Sequence, residues 1–116
     1  MIRKMSAGLI LLVLFGSCYN DREDLLYPSI TDCNTLNAEY AADIAPIIQS
    51  SCAIPGCHDA ASGNKGGPFI NFTQVKNKAA IIKAQVVSGA MPQGLSLSQE
   101  QIKLISCWVD SGAPNN

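Results

Sequence analysis

The sequence predicts an all-α domain with three main helices and long loops between them. Three apolar stripes recur at helical spacing, each flanked by residues that start or stop a helix. No segment alternates apolar and polar residues over the length of a strand. The total of 116 residues leaves room for one domain.

In chain order, Arg3 and Lys4 precede a largely apolar run from Met5 to Phe15. That run is too short to cross a bilayer, which takes roughly 20 residues, and it fits the apolar region of a secretory signal. Gly16-Ser17-Cys18 follows, and small residues directly before a Cys resemble the bacterial lipobox. Residues 1–17 are therefore expected to be a signal peptide and Cys18 a lipidated first residue. Ordinary cleavage nearby, leaving Cys18 a plain thiol, is the alternative. Loss of residues 1–17 leaves six basic against nine acidic residues, a net charge of -3 in place of -1. It also removes Met1 and Met5, so one His and one Met remain. The implied location is an oxidising one, where disulfides persist: the periplasmic face or the cell surface of a bacterial membrane.

Residues 18–37 read as a lipid-anchored tether, and 38–116 as the folded domain. Tyr19 to Asp24 is charged, Tyr27-Pro28-Ser29 favours a turn or extended chain, and neither has helical periodicity. The acidic patch after Cys18 resembles a surface-export signal and serves equally as a solvated linker.

The first helix is expected over Ile44 to Ser51, capped by Asp43, with Pro46 in the first turn, where its missing N–H costs nothing. Ile44, Ile47 and Ile48 form its apolar stripe. The second is expected over Gln74 to Ser88, with Thr73 as cap and Gly89 as stop. Its stripe is Val75, Ala79, Ile82 and Val86. The third is expected over Gln99 to Asp110, where Ser98 and Gln101 make a capping box. Ile102, Ile105 and Val109 face one way, Leu104 and Trp108 flank them, and Gly112 and Pro114 end the helix.

Composition excludes several functions. A near-neutral chain with no basic block lacks the clustered Lys and Arg that nucleic-acid binding needs. A single His, His58, rules out a site built on several imidazoles and leaves only one possible imidazole base. A folded region of this size draws only about 3–5 kcal/mol from its core, so staples or a cofactor are expected. The loop from Ser62 to Gly67 adds no apolar side chain to that core.

The candidate site is Cys52-Ala-Ile-Pro-Gly-Cys57-His58. Covalent haem attachment ordinarily uses C-x-x-C-H, in which two thiols add across the haem vinyl groups and the adjacent His coordinates iron. Here the spacer has four residues, and Pro55-Gly56 can form a turn that loops out the extra two. Read alone, the segment also suits a Cys52–Cys57 disulfide around a turn, with His58 an incidental surface residue. Met91, in Gly89-Ala-Met-Pro92, could fill a core gap or offer a second axial ligand to iron.

Taken together, these elements resemble a class I cytochrome c domain, particularly the short forms in exported bacterial lipoproteins. The elements are Pro46-Ile47 entering Cys52 to His58, then the helix from Val75 to Val86, Met91-Pro92, and Trp108-Val-Asp-Ser-Gly112-Ala113. The likeness runs from Tyr40 to Pro114 and departs from the family in the four-residue spacer.

The resemblance implies a small cytochrome c-like fold around one covalent haem c, whose iron is held by His58 and Met91. It implies that Cys52 and Cys57 carry the thioethers and that the Pro68 carbonyl anchors the His58 ring. Trp108 would pack toward the first helix and the haem edge, or serve as plain core. Helices packed first against last would bring Cys33 and Cys107 into a disulfide worth on the order of 2–4 kcal/mol. With both axial positions filled, the chain would be an electron carrier and not an enzyme. Its partners would be redox proteins of the cell envelope. Two other readings stand beside this one: a haem-free, disulfide-stapled lipoprotein for binding or structure, and a small zinc site on Cys52, Cys57, His58 and one further thiol.

Overall fold

A computed structural model describes residues 32–116. The expected signal peptide, Cys18 and the tether as far as residue 31 lie outside the described residues. Those described contain helices and no strand, as the sequence predicts.

A π-helical turn, Tyr40–Ile44, runs directly into helix α1, Ala45–Ser51. The helical chain thus starts four residues before the expected Ile44, and Asp43 is not its cap. The carboxylate of Asp43 instead reaches back to accept from the N–H of Glu39 at 2.8 Å, satisfying one of the donors a helix start leaves over. Tyr40-Ala-Ala lacked an apolar stripe because Ala41 and Ala42 face solvent and only Tyr40 is half-buried. The stripe of Ile44, Ile47 and Ile48 is buried as expected.

The expected second helix is interrupted by one residue. Helix α2 covers Phe72–Asn77, α3 covers Ala79–Val87, and Lys78 between them has φ -111° and ψ 6°. Val75, Ala79, Ile82 and Val86 are nevertheless all buried, so one non-helical residue leaves the stripe facing the core. The cap is Asn71 and not Thr73: its side chain accepts from the Gln74 N–H at 3.0 Å, and the Gln74 amide oxygen accepts from Ile70 N–H. The Gln74 bond goes to the residue before the cap, so this is not the reciprocal capping box seen at the last helix.

That last helix, α4, spans Gln99–Asp110 and has its full capping box of Ser98 and Gln101. Its most buried residues are Ile105, Ser106, Cys107 and Trp108, while Ile102 and Val109 are only partly covered. The Ser106 hydroxyl donates to the Ile102 carbonyl at 2.7 Å, which satisfies a polar atom that has no access to water.

The first and last helices meet around Trp108. Its indole ring lies 5.7 Å from that of Tyr40, which also meets Phe72 edge-on at 4.9 Å. The indole N–H donates to the Pro114 carbonyl at 2.9 Å. The C-terminal Asn116 accepts from Tyr40 and Ala41 N–H through its side-chain and backbone oxygens. A disulfide joins Cys33 to Cys107 with Cα atoms 5.4 Å apart, tying residues before the first helix to α4 as the resemblance implied.

Candidate functional site

The segment between α1 and α2 forms one wall of a cleft, and α3 with the loop after it forms the other. Ile54-Pro55-Gly56-Cys57 is a tight turn: Cys57 N–H donates to the Ile54 carbonyl at 3.0 Å. Pro55 holds the position that favours its fixed φ, and Gly56 takes φ +84°, which a side chain would strain. The chain then closes behind the turn, with His58 N–H donating to the Cys52 carbonyl at 2.9 Å. The four-residue spacer is thus a closed loop whose two ends are hydrogen-bonded together.

Cys52, Cys57, His58 and Met91 all line this cleft, whose volume is about 580 Å³. Cofactor-sized ligands occupy pockets of roughly 300–1,000 Å³. Ile82 and Val86 supply apolar wall from α3, and Phe69 does so from the facing loop. Met91 is half-buried two residues beyond Gly89, with its N–H donating to the Gln85 carbonyl at 3.2 Å. Lys65 and Lys78 also line the cleft and no carboxylate does, so its electrostatic field favours a ligand with an anionic end.

His58 is held on two sides. Its ring stacks on Phe69, centroids 4.2 Å apart and planes 21° from parallel. Its Nδ1 lies 2.9 Å from the carbonyl of Gly67. A carbonyl only accepts, so Nδ1 carries the proton and Nε2 is left with the lone pair a metal requires. The expected anchor was the carbonyl of Pro68, one residue on. Gly67 takes its place because its φ of +82° turns its carbonyl toward the ring. Gly66 runs alongside the ring at φ +104°, where a Cβ would make ordinary contact with His58 Cε1 at 3.5 Å. Trp108 does pack toward the first helix, but it is not among the residues lining the cleft; its role in this structure is core packing.

Cys52 and Cys57 are both free thiols, so the disulfide of the haem-free alternative is not formed. Burial pushes the Cys52 thiol up to about 11, and the neighbouring Cys57 adds to the effect. At pH 8 in the reduced chain, Cys52 is expected to hold about a hundredfold less thiolate than a thiol of ordinary acidity. Its alkylation by iodoacetamide, followed by peptide mass mapping, should keep accelerating up to about pH 11. A plateau near pH 9 would show that burial does not suppress its ionisation.

Among the described residues, no group of three or more His, Cys, Asp and Glu side chains is placed to hold a metal ion. The zinc reading therefore lacks a donor set there. Sequence reasoning found the two thiols, His58 and Met91, but missed Phe69 and Gly67. Phe69 follows directly on Gly67-Pro68, and an aromatic residue beside a Gly-Gly turn was the available signal. The chain matches no protein-family model, no curated protein and no solved structure.

Proposed function

We propose that this chain is a mono-haem c-type cytochrome, exported, lipid-anchored through Cys18, and passing one electron at a time between redox proteins of the cell envelope. The observation that carries the reading is the lining of one cofactor-sized cleft by Cys52, Cys57, His58 and Met91. Outside the expected signal peptide these include the sole His and the sole Met of the sequence.

The donor set fits the group. Two thiols suit covalent attachment, while an imidazole and a thioether suit the two axial positions of haem iron. When bound, haem supplies a reversible one-electron change at iron. Everything else falls to the chain. His58 presents Nε2, with Nδ1–H fixed on Gly67 and the ring braced by Phe69. Such an anchor fixes the tautomer and the ring plane. Met91 approaches from the loop after α3, a separate element, so the two ligands are set independently by the fold. Ile82, Val86 and Phe69 would shield an apolar ligand from water, and Lys65 with Lys78 would favour one that bears carboxylates. Were His58 and Met91 both to hold the iron, no side of it would be left open to a substrate, and the chain would act as a carrier.

The deciding experiment is a pyridine haemochrome spectrum of protein made in a host with active haem attachment. Red protein whose haem survives acid-acetone extraction is the expected result. Colourless protein with Cys52 and Cys57 bridged would overturn it. That outcome would favour a haem-free envelope lipoprotein stapled at Cys33–Cys107.

A further inference from the structure

The spacer turn is held from outside by a part of the chain with no place in the donor set. The side-chain amide of Asn64 donates to two consecutive carbonyls, Gly56 at 2.9 Å and Cys57 at 2.6 Å. The Ser62 hydroxyl accepts from Gly56 N–H at 2.9 Å and donates to the Asp59 carboxylate. Both backbone groups of Gly56 are thereby engaged by the loop that follows His58. On its inner side the turn is closed by its own backbone, Cys57 to Ile54 and His58 to Cys52.

A four-residue spacer has more backbone freedom than a two-residue one, and each added residue must be ordered before both thiols can meet one rigid ligand. We infer that the loop from Asp59 to Asn64 is a clasp that orders this long spacer in advance, with Asn64 as the positioning residue for Cys57 and His58. The inference rests on the cytochrome reading for what the clasp serves. In attachment, the Cys52 and Cys57 thiols each add S–H across one vinyl C=C. Sulfur goes to one carbon and hydrogen to the other, with no net change in electrons. The clasp takes no part in that chemistry; it places the thiols and the imidazole before it begins.

Two measurements on the full chain test this. In the haem-free protein, Asn64→Ala should speed hydrogen exchange of the Cys57 and His58 amides by about tenfold, as expected for two lost hydrogen bonds of modest net strength. Amides at Cys57 and His58 already unprotected in the wild type would overturn the clasp. The second measurement is covalent haem content by mass spectrometry, in the wild type and in a chain lacking Pro55 and Gly56. Asn64→Ala should lower loading severalfold in the natural spacer. In the shortened one, which needs no clasp, it should change loading by less than about twofold. Equal losses in both backgrounds would show a general folding role and overturn the inference. Asn64-dependent protection in a chain that takes up no haem in any variant would keep the clasp and refute the cofactor it is said to serve.

Discussion

Met91→Ala in the haem-loaded protein is expected to lower the reduction potential by about 0.1 V or more and to abolish the absorption band of a sulfur–iron bond. The choice of axial ligand moves haem potentials over a range of about 0.8 V. A thioether stabilises the reduced iron, so its removal favours Fe(III). Met91 is suited to this because it projects from an irregular loop whose position is set by Gly89, at φ +74°, and by the bond from its N–H to Gln85. Replacing it should leave the helices intact, since no buried stripe includes it. Potentiometric titration and an absorption spectrum check the prediction together. An unchanged potential and spectrum would remove Met91 from the ligand set.

The second large effect concerns the fold. Replacing both Cys33 and Cys107 by Ala should cost about 2–5 kcal/mol, because the bridge closes a loop of 74 residues and restricts the unfolded chain accordingly. Changing both avoids leaving one buried thiol behind, since Cys107 is only 4% exposed. In a domain of this size each kcal/mol moves the melting temperature by about 4–8 °C, so a fall of roughly 10 °C or more is expected by circular dichroism. The loss would be a large share of the 5–15 kcal/mol typical of whole domains. It should be felt most where the first helical turns meet α4, at Tyr40 and Trp108. A melting temperature within about 2 °C of the wild type would mean that Trp108 and the Asn116 contacts hold the two helices without the bridge.

The helices show what patterning carries and where it stops. The buried stripes of α1, α2 and α3 were legible because a 3.6-residue period concentrates apolar side chains on one face. The capping box of α4 was legible because Ser98 and Gln101 satisfy each other over three residues. The start at Tyr40 was not, because a π-helical turn with exposed alanines has no stripe to read. Nor was the interruption at Lys78, since a single residue leaving helical geometry does not disturb the spacing of Val75 and Ala79. On α4, the expected stripe of Ile102, Ile105 and Val109 is right at Ile105, which is fully buried, but Ile102 and Val109 are only partly covered while Ser106, Cys107 and Trp108 turn inward beside Ile105. The bridge to Cys33 and the packing of Tyr40 decide which face turns inward, and both come from far along the chain.

By itself, then, the sequence determined the all-α class, the helical stripes and the identity of the scarce groups: two thiols with four residues between them, the sole His, and Met91. These are local properties, written in residue type and spacing over a few turns. Only the tertiary structure decided that the four groups line one cleft, that Gly67 rather than Pro68 fixes His58, and that Asn64 clamps the spacer. Each depends on a backbone carbonyl aimed by a glycine at positive φ, or on contact between segments that meet only when the chain folds. Spacing along the sequence records neither, because a carbonyl's direction follows from dihedral angles and its partner from the path of the whole chain.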